Sequence, residues 1–139
     1  MFSRKICLRL YETDATGVLY FPQQLRMAQE TFECFLESVD SSLGGWLAQK
    51  SYLFPVVHAE ADYCKPLCVG QEIEIRLSLE KIGVSSFTLS TLFVLPGEVV
   101  AGKTTIVHVA IDRASWQSCP VPEEVKKSLT KLQEMANVY

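Results

Sequence analysis

Residues 11–21 read YETDATGVLYF, and two acids in this stretch, Glu12 and Asp14, stand two positions apart. A carboxylate that precedes a helix can attack a carbonyl or activate a water. The free N–H groups of the helix start can steady the oxyanion that forms. Asp, Thr and Gly ahead of a helix also serve capping and turn chemistry, so residue types alone leave both readings open. Two features favour chemistry at Asp14. It lies too far from Pro22 to be a simple cap, and the intervening Val18-Leu19-Tyr20-Phe21 is unusually apolar for a solvent loop. An acid in an apolar, loop-lined site is a candidate for functional tuning. Glu12 reads as a strand-end surface acid whose closeness to Asp14 could raise the pKa of either group.

Other chemistries find less support. The chain contains no GxSxG, no P-loop and no GxGxxG. His58 and His108 both sit in apolar strand patterns, where an imidazole usually serves as a core or pocket-wall residue; His58, between Val57 and Ala59, is the better placed to face a ligand. His58, Cys64 and Cys68 are suitable zinc donors by type, but their spacing matches no common zinc pattern, so neither metal nor cofactor is expected. The five cysteines read as reduced, small buried residues of a cytoplasmic protein.

At 139 residues, with 48% apolar and 21% charged side chains, the chain is one globular domain over 1–139. A net charge of −3 argues against a nucleic-acid partner. No apolar run approaches the roughly 18 residues a membrane span requires, and Arg9 interrupts the N-terminal stretch, so no signal-peptide core forms.

The elements that must position Asp14 follow from periodicity. Residues 4–11 alternate, with Ile6, Leu8 and Leu10 on one face, which predicts a half-buried strand. From Pro22 the period becomes helical, and Leu25, Ala28, Phe32, Phe35, Leu36 and Val39 share one stripe, ending before Gly44-Gly45. Four strands are expected next. Residues 53–64 form one whose Pro55 marks an edge or a start; 71–82 alternate cleanly; 86–95 and 99–112 join through Pro96-Gly97, the last reading as an interior strand. A short helix opens after Pro122 with Val125, Leu129 and Leu132 on one stripe. Strand, long helix, four strands, short helix is an α+β order, with one antiparallel sheet covering one long apolar helix.

The run Tyr11 to Phe21, followed by an amphipathic helix, resembles the 4-hydroxybenzoyl-CoA thioesterase family of hotdog-fold acyl-CoA hydrolases. The resemblance implies a five-stranded antiparallel sheet wrapped around a central helix, with Asp14 as nucleophile or general base. It implies that N–H groups near Tyr20 and Phe21 polarise the thioester carbonyl, with Gly17 permitting the turn between them. It further implies an acyl-CoA substrate and a homo-oligomer, a dimer or a dimer of dimers, with the site between subunits. Phe54 to Tyr63, then Pro66 and Gly70, is similar to 1,4-dihydroxy-2-naphthoyl-CoA hydrolases of menaquinone and phylloquinone synthesis. By that likeness His58 and Ala59 line the acyl pocket from the facing subunit, and Gln23, within Pro22-Gln23-Gln24, lies close to the thioester where many relatives carry Asn or His. The alternatives are a broad short- or medium-chain acyl-CoA or acyl-carrier-protein thioesterase, and a non-catalytic acyl-CoA-binding module. Lys65, Lys81, Lys103 and Arg113 are candidates for the CoA phosphates.

Overall fold

A computed structural model describes residues 1–39 and 51–135. The expected helix stop at Gly44-Gly45 lies outside the described residues. Strand β1 (Phe2–Cys7) is followed by a 3-10 turn (Leu10–Glu12) and helix α1 (Pro22–Ser38). Then come β2 (Tyr52–Leu53), β3 (Val56–Tyr63), β4 (Glu72–Ile82), β5 (Ser86–Leu95), β6 (Val99–Val109), β7 (Ile111–Asp112) and α2 (Glu123–Met135). Five strands form one antiparallel sheet in the order β1-β4-β5-β6-β3, and β2 pairs with β7 separately. This is the expected hotdog arrangement.

Three strand expectations change in detail. The first strand stops at Cys7, because its partner β4 starts at Glu72, opposite Cys7, and nothing remains to pair with. The chain then turns, and Leu10 is 73% exposed where the alternation had placed it inside. Pro55, which lacks an N–H, splits the second expected strand into β2 and β3. The last expected strand breaks after Val109 into β6 and β7.

The inner face of the sheet carries Ile73, Ile75 and Leu77 of β4, Phe87, Leu89 and Phe93 of β5, and Ile106 of β6, all buried. Against it α1 buries Met27, Ala28, Phe32, Phe35 and Leu36, a stripe at helical spacing, while Val125, Leu129 and Leu132 of α2 close one end of the core. Strand β6 is interior, as its two apolar faces implied. Strand β3 is the sheet edge that Pro55 signalled, and it is exposed along nearly its whole length.

None of the five cysteines is buried, contrary to expectation: Cys7 and Cys64 are exposed and Cys34, Cys68 and Cys119 half-buried, all as free thiols. Among the described residues no helix is long and apolar enough to cross a membrane, and no group of three or more His, Cys, Asp or Glu could hold a metal ion.

Candidate active site

Asp14 opens a tight turn. Its N–H donates to the Val18 carbonyl at 2.8 Å, and the Gly17 N–H donates back to the Asp14 carbonyl at 3.1 Å. Gly17 has φ +77°, left-handed backbone that a side chain strains, although a Cβ there would meet no atom within 4 Å. The turn is laced to the loop before β4: the Leu19 N–H donates to Leu67 O at 2.7 Å and the Val69 N–H to Gly17 O at 3.1 Å.

The Asp14 carboxylate itself is exposed. Its Oδ1 accepts from the Thr16 N–H at 2.8 Å and from the Thr16 hydroxyl, while Oδ2 has no hydrogen-bond partner among the described residues. One oxygen is therefore anchored and the other is free to react. The Thr16 hydroxyl, then the Thr16 and Val18 backbone, hold the carboxyl below its ordinary 3.8, so it is an anion at neutral pH.

At the helix entrance the two residues expected to offer N–H groups differ. The Tyr20 N–H is committed to the Glu12 carbonyl at 2.9 Å. The Phe21 N–H carries no hydrogen bond among the described residues, and Pro22 has none to give, so Phe21 supplies the open donor. The Tyr63 hydroxyl, kept protonated by a pKa that burial raises, donates to Phe21 O at 2.7 Å. Gln23 accepts a hydrogen bond from Arg26 Nε, which turns its amide oxygen along α1.

Glu12 overturns its reading as a surface acid. It is 4% exposed, its Oε1 accepts the Arg9 N–H at 2.9 Å, and its Oε2 pairs with the Arg26 guanidinium. Gln24, which is not among the apolar stripe residues of α1, is 1% exposed; its Nε2 donates to Asp62 O at 3.0 Å and tethers α1 to the edge strand. Neither had a local signal, since each is buried by a residue distant in sequence.

Strand register separates the two histidines. His108 and Ile106 face inward, so Ala59, opposite Ile106, lies on the inner face of the exposed edge strand, and His58, opposite Val107, stands on the outer face, where Glu60 is 3.4 Å away. No hydrogen bond or ion pair joins His58 to Asp14 among the described residues. His108 is the core residue its pattern indicated: it stacks on Phe87 at 4.9 Å, its Nδ1 lies 3.0 Å from Phe54 O, and burial lowers its pKa. Beside the Asp14 turn an open cleft of about 170 Å³ is lined by Val18, Leu19, Gln24, Tyr63, Lys65 and Leu67, so of the candidate phosphate contacts Lys65 is the one that lines it.

Similarity to known proteins follows the same outline. A 1,4-dihydroxy-2-naphthoyl-CoA hydrolase of Nostoc punctiforme is 36% identical over 124 residues, 89% of this chain and 83% of the relative. One of Prochlorococcus marinus is 38% identical over 128 residues, 87% of this chain and 82% of the relative. The crystal structure of Slr0204, a 1,4-dihydroxy-2-naphthoyl-CoA thioesterase from Synechocystis, superposes with a TM-score of 0.86 at 24% identity, covering 94% of this chain and 96% of that one. Residues 8–129, from the end of β1 to the middle of α2, match the thioesterase-like superfamily, and the chain belongs to it.

Proposed function

We propose that this protein hydrolyses an aromatic acyl-CoA, with 1,4-dihydroxy-2-naphthoyl-CoA the best candidate, to the free acid and CoA. The observation that carries the reading is the state of Asp14: ionised, exposed, one oxygen anchored by Thr16 and the other free. Asp14 attacks the thioester carbonyl or draws a proton from water, and the Phe21 N–H receives the oxyanion. A carboxylate this well solvated is a weak base. Covering it with substrate strips water and raises its basicity when the site is filled. The relatives named for the naphthoyl substrate, at 36–38% identity, support the aromatic acyl group.

The same reading makes β3 the seam of a dimer. It is an unpaired edge with Val56, Val57 and Tyr63 each at least half exposed, the kind of edge a second copy can extend. Pairing there brings the partner's β3 near this protomer's helix entrance, which gives His58 on its outer face and Ala59 on its inner face a route to the acyl group.

The test is thioester absorbance over benzoyl-, 4-hydroxybenzoyl-, 1,4-dihydroxy-2-naphthoyl-, acetyl- and decanoyl-CoA, wild type against Asp14→Asn. Turnover of the aromatic esters, with a loss of about 10²–10⁴-fold in a folded Asp14→Asn chain, is the expected result. Binding of the esters without hydrolysis by either protein overturns the reading in favour of a binding module. Preferred turnover of acetyl- or decanoyl-CoA replaces the aromatic substrate class.

A further inference from the structure

The buried residue Glu12 touches both ends of the reactive segment. Its backbone carbonyl accepts the Tyr20 N–H at 2.9 Å, while in its carboxylate Oε1 accepts the Arg9 N–H and Oε2 holds Arg26 on α1. Arg26 divides its guanidinium among three acceptors, adding Gln23 Oε1 and Glu30 Oε2, the latter at 2.7 Å. Glu30 in turn lies 3.4 Å from Arg4 of β1, whose Nε donates to Thr31 Oγ1 at 2.9 Å. The chain of contacts therefore ties β1 and the Asp14 loop to one face of α1, along a groove of about 320 Å³. Among the described residues, the side-chain hydrogen bonding between residues 9–14 and α1 consists of the Glu12–Arg26 contact alone.

We infer that the Glu12–Arg26 ion pair is a positioning device for the reaction: it sets the Asp14 carboxylate against the Phe21 N–H. The inference rests on the reading of Asp14 as the catalytic carboxylate. Its physical basis is placement. Asp14 follows Glu12 by two residues and Phe21 precedes Arg26 by five, so the pair closes the segment that carries both reacting groups. The Glu12 side chain is 6% exposed and that of Arg26 45%, so one partner is locked in the interior while the other reaches it from the helix surface. A loosened pair lets the nucleophile and the donor drift apart, and drift of about 1 Å at a reacting centre can lower turnover about 100-fold without changing what the pocket binds.

The test is steady-state kinetics on the preferred acyl-CoA for Arg26→Met, Arg26→Lys and the double variant Glu12→Gln/Arg26→Met, with thermal melting beside each. The expected result for Arg26→Met is a kcat about 10–100-fold lower with KM within about three-fold of wild type. The double variant, which leaves no unpaired buried charge, is expected to be no slower than Arg26→Met, because both remove one strut. Arg26→Lys keeps a cation within reach of Glu12 and recovers part of the lost kcat. A folded Arg26→Met or double variant with kcat within about two-fold of wild type overturns the inference. Failure of both to fold assigns the pair to folding alone and overturns it as well. Asp14→Asn is run alongside: if it turns over fully, the reading of Asp14 itself falls, whereas an inactive Asp14→Asn beside fully active Arg26 variants removes only the strut.

Discussion

The hydroxyl of Tyr63, the last residue of β3, donates at 2.7 Å to the carbonyl of Phe21, the residue that precedes α1. One hydrogen bond thus joins the exposed edge of the sheet to the helix entrance, where the open N–H sits on the same residue. Tyr63→Phe removes that tie and keeps the ring. A net hydrogen bond is worth about 0.5–1.5 kcal/mol, and the low end applies to this half-exposed residue. The expected outcome is a small fall in melting temperature with a several-fold fall in kcat, read by calorimetry and thioester absorbance. A change in stability with no change in kcat shows that the tie does not hold the Phe21 N–H.

Gly102 is required by Gln24. A Cβ at 102 would lie 2.6 Å from Gln24 Oε1, 2.8 Å from its Nε2 and 2.9 Å from its Cδ. The amide cannot step aside without giving up its bond to Asp62 O. Gly102→Ala is expected to destabilise by about 1–3 kcal/mol, the range for overpacking. Urea unfolding measures it, and adding Gln24→Ala should recover part of the loss by vacating the space.

On the proposed function, the pH profile of activity is expected to follow Asp14. Its folded pKa lies below 3.8, so the acid limb of kcat/KM is expected below pH 3.8, and any stability from its bonds is present above pH 3.8 and lost as pH falls through the folded value. Thr16→Val deletes the hydroxyl that contributes most to the shift and leaves the Thr16 N–H in place. The limb should then move upward, toward the ordinary carboxyl value. A profile that is identical in both proteins removes Asp14 as the titrating group.

His108 makes the fold acid-sensitive in a higher window. Burial lowers its folded pKa below 6.5, so the neutral ring is the native form. Stability is therefore full above pH 6.5 and falls as pH drops from 6.5 toward the folded value, because the unfolded chain takes up the proton first. His108→Gln, which retains a donor for Phe54 O, should flatten the fall of denaturation midpoints below pH 6.5 relative to wild type.

Much of the architecture was legible because it depends on near neighbours. The alternation of Ile73, Ile75 and Leu77 against Glu72, Glu74 and Arg76 identified β4, Pro96-Gly97 marked the β5–β6 turn, and the stripe from Ala28 to Leu36 marked α1. The sequence also singled out Asp14, as an acid ahead of an apolar helix start, and its catalytic role is the proposal that Asp14→Asn tests. The 3-10 turn at Leu10–Glu12 was not, because strand alternation continues in the side chains after the pairing partner has run out.

Composition and spacing by themselves determined the main element order and the buried faces of α1, α2 and β4, since periods of 2 and 3.6 residues are properties of the local chain. Tertiary structure alone decided the partners. Glu12 became a buried ion pair because Arg26, 14 residues on, folds over it. The Tyr20 N–H was spent on Glu12 O while that of Phe21 stayed open. Gln24 was drawn inside by the carbonyl of Asp62, and His58 was turned outward by its register with Val107. Each of these depends on which strand lies beside which and in what register, and a buried polar group shows its role only when the distant atom that satisfies it is in place.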